Sequence, residues 1–288
     1  MSHSMSLNIT DNHAHINPIK GAKGIKAVGD FVNSGGTMLM LVNLMTWHYG
    51  IHVPTLKSFT RMYQIHLDLV RRINQEYAIK AYAVIGPHPS ELSNLIRKGF
   101  SYSSARRLMI RAIDEACRIA SGNDLIIAIG EVGRPHYRVS KEEWELANEL
   151  LGYALERAAE IGKAVQIHME TPTESSLNEI VHIAEKHGMP ISKIVIHHAT
   201  PDIKLYRQYG LWPSIVAKED NIIKALRNSS EFLVETDYLD DPQRPGAVMS
   251  LSSLPRKIRR LYERGILSRS IINKICRELP SAIYGIAP

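Results

Sequence analysis

The sequence predicts an α/β fold, a single (β/α)8 barrel of the TIM type that spans residues 1–288. Eight short apolar runs recur along the chain, and amphipathic helical patterns lie between them. No Gly/Ser-rich linker and no internal repeat divides this alternation. A doubly wound sheet is the alternative. It is disfavoured because no Gly-x-Gly-x-x-Gly motif follows the first run and because metal-ligand residue types end run after run.

The first predicted strand shows the period of two that is typical of β-structure. Leu7 and Ile9 alternate with polar residues, and the strand leads into His13 and His15. Seven further apolar runs have the length expected of buried strands. They cover residues 38–44, 81–85, 125–129, 164–167, 194–196, 211–216 and 232–234.

Helices are predicted between these strands from apolar faces with helical spacing. The clearest face, residues 144–161, follows the capping box Ser140-x-x-Glu143 and ends near Gly162. Two others cover residues 108–120 and 177–184, the second ended by Gly188. Residues 258–261 and 271–279 predict two more helices beyond the eighth strand.

The composition is ordinary for a soluble globular protein. Of its residues, 44% are hydrophobic and 22% charged, and no apolar run is long enough to cross a membrane. Cys117 and Cys276 lie in helical patterns, so we expect reduced, buried thiols in a cytoplasmic protein without membrane contact or an obligate protein partner. The net charge of +6 permits a polyanionic partner such as DNA but does not require one.

Residues able to bind a metal end five of the predicted strands. A barrel of this kind carries its chemistry at the carboxyl ends of its strands, so these side chains are expected to converge. A lone strand-end histidine is more often a scaffold residue, and a lone acid a helix cap, so their joint occurrence carries the prediction. The candidates are His13, His15, Glu131, His168, one of His197 and His198, and Asp237.

The chemistry of this set favours two divalent ions. Imidazole and carboxylate ligands suit Zn²⁺, Mn²⁺ or a related ion, and six ligands exceed what one tetrahedral ion needs. Two ions that share a carboxylate would use all six. Asp11 and Glu235 share faces with the candidates and are expected to support them rather than bind directly.

An ordered series of motifs resembles the TatD-type metal-dependent deoxyribonucleases, a branch of the amidohydrolase-like barrels. The series runs through almost the whole chain, and its order and spacing make it specific. It consists of Asp11-x-His13-x-His15, Gly86-Pro87-His88-Pro89, Gly130-Glu131-Val132-Gly133, His168, His197 and Glu235-Thr236-Asp237.

The resemblance implies a metal-dependent hydrolase with two ions, Zn²⁺, Mn²⁺ or Mg²⁺. The roles it implies are a first ion on His13, His15 and Asp237 and a second on His168 and His197, with Glu131 as the bridge. Adjacent strand residues face opposite ways, so normally only one of His197 and His198 can enter the barrel mouth, and the resemblance selects His197.

Several segments depart from the family pattern around these ligands. Arg134-Pro135-His136-Tyr137 replaces the usual Leu-Asp after Glu131. His198-Ala199-Thr200-Pro201 replaces Cys-Phe or Ser-Phe after the sixth-strand histidine, and Tyr238 follows Asp237 where a proline is common. These changes leave the predicted ligands intact but alter the walls of the pocket.

Three loop residues are candidates for binding the substrate. His88, Arg134 and His136 follow strand ends, and arginine can bind phosphate with two hydrogen bonds. A salt bridge that ties the loop to the barrel is an equally good interpretation of Arg134. Trp47 lies in the loop after the second strand, where it could stack on a base or pack against a neighbour.

The first functional hypothesis is a phosphodiesterase, a deoxyribonuclease acting on DNA ends or single strands, or on a small phosphate ester. Divalent ions would activate a water near neutral pH, Glu131 would bridge them, and Asp237 would accept the proton. A C–N or C–O hydrolase (amidase, lactonase or deaminase) is the second hypothesis. It is disfavoured because such enzymes often carry a carboxylated lysine where this chain has Glu131. A non-catalytic nucleic-acid-binding barrel is the third, disfavoured because no expected ligand is missing.

Overall fold

The computed structural model describes residues 7–245 and 247–287. In this part of the chain nine parallel strands form one sheet, in the order β8-β7-β6-β5-β4-β3-β2-β1-β9. The strands are β1 (Thr10–His15), β2 (Met38–Val42), β3 (Lys80–Ile85), β4 (Ile126–Gly133), β5 (Ala164–His168), β6 (Ile194–Ala199), β7 (Trp212–Val216), β8 (Leu233–Glu235) and β9 (Tyr238–Leu239).

The sheet closes between its last and first strands. The backbone N–H of Asp237, just past β8, donates to the carbonyl of His13 at 3.0 Å. The short β9 then pairs in parallel with β1, and Asp240 N–H donates to the carbonyl of His15 at 3.2 Å. The predicted (β/α)8 barrel is therefore confirmed, with β9 as a short addition that the sequence did not predict.

Helices surround the barrel and connect successive strands. They are α1 (Lys26–Asn33), α2 (Leu56–Glu76), α3 (Pro89–Arg97), α4 (Tyr102–Ala120), α5 (Lys141–Glu160), α6 (Glu174–Lys186), α7 (Ile203–Arg207), α8 (Glu219–Leu226), α9 (Ser253–Glu263), α10 (Arg269–Asn273) and α11 (Leu279–Tyr284). A π-helical turn, Lys274–Glu278, joins the last two. The predicted start of α5 is confirmed, since the Ser140 side chain accepts a hydrogen bond from the Glu143 N–H at 3.1 Å.

Two hydrophobic layers hold this arrangement together. One lies between the helices and the outer face of the sheet, and the other fills the barrel. The inner layer includes Met40 and Val195 from the strands, and α11 closes it with Leu279, Ile283 and Tyr284. The apolar packing therefore occupies the bottom of the barrel, which leaves the carboxyl ends of the strands to the polar residues.

The strands extend further toward the mouth than the apolar runs that predicted them. β4 continues to Gly133 and so contains Glu131, and β6 continues to Ala199 and contains both His197 and His198. A run ends where polar residues begin, but these polar residues remain in the sheet.

No helix among the described residues is long and apolar enough to cross a membrane.

Candidate metal centre

The six predicted ligands meet in one cluster at the barrel mouth, with Glu131 at its centre. Oε2 of Glu131 lies 3.5 Å from Nε2 of His13 and 3.5 Å from Nε2 of His15. Its other oxygen, Oε1, lies 2.8 Å from Nδ1 of His168 and 2.9 Å from Nε2 of His197. One buried carboxylate thus faces two separate pairs of histidines, one pair with each oxygen.

The two histidines of β1 turn their Nε2 atoms toward the cluster. Nδ1 of His13 donates to Oε1 of Gln166 at 2.8 Å, and Nδ1 of His15 donates to the carbonyl of Val42 at 3.0 Å. In neutral imidazoles the proton therefore sits on Nδ1, and both Nε2 atoms carry lone pairs. Yet these Nε2 atoms are only 3.1 Å apart. Such a contact is unfavourable unless a proton or a cation lies beside it.

The histidines of β5 and β6 also have outer partners, but they face the cluster with different nitrogens. Nδ1 of His197 lies 3.3 Å from Oε1 of the buried Glu235, which leaves Nε2 to face Glu131. His168 is reversed, since its Nε2 lies 2.8 Å from Nδ1 of His136 while its Nδ1 faces the cluster. Each ligand nitrogen therefore has an outer partner that fixes the ring, the arrangement usual around metal-binding histidines.

The charge distribution of the cluster also fits cations. Burial lowers the pKa of the His197 imidazole, but Glu131 and Glu235 outweigh it and hold that pKa well above its usual value. Burial likewise raises the pKa of the Glu131 carboxyl, but the histidines around it, His197 first, hold it well below its ordinary range. Positive charge is therefore strongly stabilised here, and the nitrogen and oxygen donors suit divalent ions such as Zn²⁺ or Mn²⁺.

Asp237 lies beside the two histidines of β1 and could bind an ion with them. Its carboxylate oxygen and the Nε2 atoms of His13 and His15 lie within 4.8 Å of one another. Burial raises the pKa of Asp237, but the hydrogen bond from His198 and the nearby histidines lower it to about 2. The carboxyl group of Asp237 is therefore ionised at neutral pH.

His198 also lines the mouth, which the alternation of strand residues had excluded. The expectation that only one of His197 and His198 enters the mouth is wrong for this strand, because His198 has a positive φ of 51°. This left-handed backbone breaks the alternation of side chains and turns the ring toward Asp237, whose Oδ2 lies 2.8 Å from Nδ1 of His198.

His88 reaches the cluster from the turn after β3 but presents a donor. Its Nδ1 accepts the backbone N–H of Ser90 at 3.0 Å, where it caps α3. In the neutral ring the proton must then be on Nε2, which points toward Oε1 of Glu131 at 3.7 Å. His88 can therefore donate to an oxygen in the mouth, as a substrate-binding residue would.

Arg134 does not line the mouth. Its guanidinium is buried and pairs with Glu170 at 3.1 Å and with Glu179 at 2.8 Å, while Nε donates to Asn148 at 2.7 Å. It also lies over the ring of Trp144, 5.1 Å from its centre. The structure therefore favours the salt-bridge interpretation of Arg134 over phosphate binding. His136, by contrast, lines the mouth.

A cavity of about 760 Å³ opens above the cluster. Its walls are largely apolar and include Leu44, Trp47 and Met169. Among the described residues that line it, Arg244 is the one lysine or arginine, and its Nε is bound to Asp241 at 3.0 Å. The residues that the sequence did not indicate are Gln166, which orients His13, and Arg244, since neither belongs to a motif.

Comparison with known proteins agrees with this geometry. Residues 10–285 match the profile of the family described as TatD related DNase. An uncharacterized protein of Methanocaldococcus jannaschii is 36% identical over 282 residues, which cover 97% of this chain and 96% of that protein.

Solved structures show the same fold at low identity. A TatD homologue from Escherichia coli K12 superposes with a TM-score of 0.64 at 16% identity, covering 98% of this chain and 100% of that one. A variant of an organophosphorus hydrolase from Deinococcus radiodurans gives a TM-score of 0.62 at 12% identity, covering 97% and 94%. The match over nearly the whole length, with the cluster at the barrel mouth, shows that the chain belongs to the TatD-related DNase family and is a metal-dependent hydrolase.

Proposed function

We propose that this protein is a phosphodiesterase that hydrolyses DNA at ends or in single strands with the help of two divalent ions. The proposal rests on the position of the Glu131 carboxylate, whose two oxygens face two different pairs of histidines. A carboxylate between two ligand groups is the arrangement used by two-metal phosphoesterases. DNA as the substrate is supported by the family to which the chain belongs and by its net charge of +6.

The ligand residues would divide into two sets around Glu131. His13, His15 and Asp237 would hold one ion, and His168 and His197 the other. Ions bound there supply an activated water and neutralise charge on the phosphate oxygens. The experiment below tests which of Zn²⁺, Mn²⁺ and Mg²⁺ supports hydrolysis.

The chain's own residues then handle the proton and orient the phosphate. Oδ1 of Asp237, which lies 3.9 Å from Nε2 of His15, would accept the proton of the attacking water and return it to the leaving oxygen as the P–O bond breaks. Nε2–H of His88 donates to a nonbridging phosphate oxygen, because its other nitrogen is fixed by Ser90. His136 borders the same space and keeps the ring of His168 in place.

A small-molecule C–N or C–O hydrolase is the second candidate. The observation in its favour is the wall of the cavity, which is largely apolar and carries a single arginine that is already paired with Asp241. A polymer with many phosphates would gain little from such a wall. A compact substrate, including a small phosphate ester, would fit it.

Hydrolysis of end-labelled single-stranded DNA tests the proposal. Protein stripped with a chelator should be inactive, and Mg²⁺, Mn²⁺ or Zn²⁺ should restore cleavage. Glu131→Gln should lower the restored rate about 100-fold or more, because loss of even an outer partner of a metal costs about 10–100-fold. Glu142→Gln makes the same charge change on the exposed start of α5 and should leave the rate unchanged. If the protein binds metal in stoichiometric amounts but cleaves no DNA, the second candidate replaces the first.

A further inference from the structure

His198 and its hydrogen-bond partner both have an unusual backbone conformation. His198 is a strand residue with a φ of 51°, a left-handed conformation that is unfavourable for a non-glycine residue. Asp237, its hydrogen-bond partner, is also left-handed, with a φ of 47°. Among the described residues these two are the non-glycine positions with positive φ. Backbone strain is therefore concentrated at both ends of one contact.

A buried carboxylate fixes the backbone of His198. Oε1 of Glu235 accepts the N–H of His198 at 2.7 Å, and its Oε2 accepts the hydroxyl of Ser214 at 2.5 Å. Glu235 is fully buried on β8, so the contact ties the end of β6 to the neighbouring interior of the barrel. The side chain of His198 is 56% exposed, although its backbone N–H is bound to the buried Glu235.

The contact between His198 and Asp237 is too weak to explain this strain as a means of stabilising the fold. A contact whose histidine ring is 56% exposed adds little to the net stability of a fold. That gain is smaller than the cost of holding two residues in the left-handed region. Backbone strain of this kind is typical of functional sites, so the geometry of the contact with Asp237 is the feature to explain.

The contact divides the two oxygens of Asp237. His198 Nδ1 lies 2.8 Å from Oδ2, whereas Oδ1 remains turned toward His15 at 3.9 Å. The backbone N–H of Asp237 is held by the carbonyl of His13 at 3.0 Å. With its backbone fixed and one oxygen occupied, the carboxylate has a single oxygen left for the cluster.

We propose that His198 is a positioning residue for Asp237, which holds Oδ2 so that Oδ1 alone faces His13 and His15. This inference rests on the proposed function, since it deepens the role given there to Asp237. It assigns a task to a position where the resembling family usually has cysteine or serine, neither of which carries a ring nitrogen that could hold the carboxylate in this way. His198 thus belongs to the site through Asp237 and not through contact with an ion.

Metal binding measured by calorimetry with Mn²⁺ tests the proposal without relying on catalysis. His198→Ala should weaken one of the two bound ions about 10-fold and leave the other unchanged, because loss of an outer partner costs about 10–100-fold. His198→Asn should bind both ions within about twofold of wild type, since asparagine keeps a side-chain N–H near the position of Nδ1 and tolerates left-handed φ. His187→Ala is the matched control, because His187 makes a similar contact with Glu156, at 3.0 Å on the outer helices.

Kinetics on bis(p-nitrophenyl) phosphate provide the second measurement. His198→Ala should lower kcat about 10-fold with KM little changed, and His198→Asn should recover most of the loss. Unchanged binding of both Mn²⁺ ions in His198→Ala, or an asparagine variant as impaired as the alanine variant, would overturn the proposal. A wild-type protein that hydrolyses no phosphodiester would refute the proposed function alone, because the Mn²⁺ titration would still decide the role of His198.

Discussion

Oε1 of Gln166 accepts a hydrogen bond from Nδ1 of His13 at 2.8 Å, inside the barrel below the cluster. The amide of Gln166 cannot turn over, because its Nε2 donates to the carbonyl of Asn12 at 3.0 Å and to the hydroxyl of Tyr284 at 2.8 Å. The orientation of Gln166 therefore places the proton of the neutral His13 ring on Nδ1 and leaves a lone pair on Nε2, which faces Glu131. Gln166, which does not line the mouth, thus fixes the ring of one predicted ligand.

Replacing Gln166 should weaken metal binding more than its distance from the mouth suggests. Gln166→Leu leaves the buried Nδ1–H of His13 without an acceptor and frees the ring to change tautomer. We expect metal affinity about 10–100-fold lower and the free energy of unfolding about 1–3 kcal/mol lower. Calorimetric titration with Zn²⁺ and urea unfolding measure these changes. Gln208→Leu, on the exposed end of α7, should alter neither, and wild-type affinity in Gln166→Leu would show that Gln166 does not orient His13.

Glu91 should make the fold less stable as the pH rises. Its two oxygens accept the N–H and hydroxyl of Thr46 at 2.5 and 3.0 Å, and burial raises its pKa from 4.5 to about 7, although these bonds and Lys98 oppose the shift. The folded protein holds this proton more tightly than the unfolded chain. The free energy of unfolding should therefore fall by up to roughly 3 kcal/mol between about pH 4.5 and 7 and show no further loss from this group above that range.

The variant Glu91→Gln isolates this contribution because it stays uncharged at every pH. Relative to wild type, it should gain stability as the pH rises through that window. Urea unfolding of both proteins at pH 5 and pH 8 measures the difference. If the two free energies change in parallel between these pH values, Glu91 does not keep its proton in the folded state.

Arg134 should prove to be a structural residue. Arg134→Met leaves Glu170 and Glu179 without their partner, and both are partly exposed, at 28% and 55%. We therefore expect a loss of about 1–3 kcal/mol, below the 3–5 kcal/mol typical of breaking a fully buried pair. KM for a phosphodiester should stay within about twofold of wild type. An increase in KM of about 10-fold in a folded variant would instead support the phosphate-binding interpretation.

Gly133 is required by the close approach of β4 to β5. Its φ is 137°, and a Cβ atom there would lie 2.0 Å from the carbonyl oxygen of His168. That oxygen also accepts the N–H of Arg134 at 2.9 Å, so it cannot move freely. Gly133→Ala should therefore abolish stable folding or displace His168. The control is Gly162→Ala, which has a positive φ of 68° but open space around the glycine, and should cost only about 1 kcal/mol. Comparable thermal stability of the two variants would contradict this account.

The sequence predicts the barrel well because its strands are buried runs of apolar residues. It also predicts which residues converge, since parallel strands bring their carboxyl ends to one face of the barrel. Metal binding by these residues stays a prediction. What the sequence could not show are features set by single backbone angles and by packing. The φ of His198 turns a ring that alternation would place outside, and the burial of Arg134 depends on Glu179, 45 residues away in the chain.

The hydroxyl of Tyr284 donates to Asn12 at 2.8 Å and accepts from Gln166, which in turn holds His13. The orientation of His13 thus depends on Tyr284, a side chain more than 270 residues later in the chain. During synthesis, residue 284 must leave the ribosome before the ring of His13 can be held in its final orientation. We therefore expect the nascent chain to bind divalent metal poorly until α11 has docked into the base of the barrel, so that any metal binding would follow the docking of this last helix.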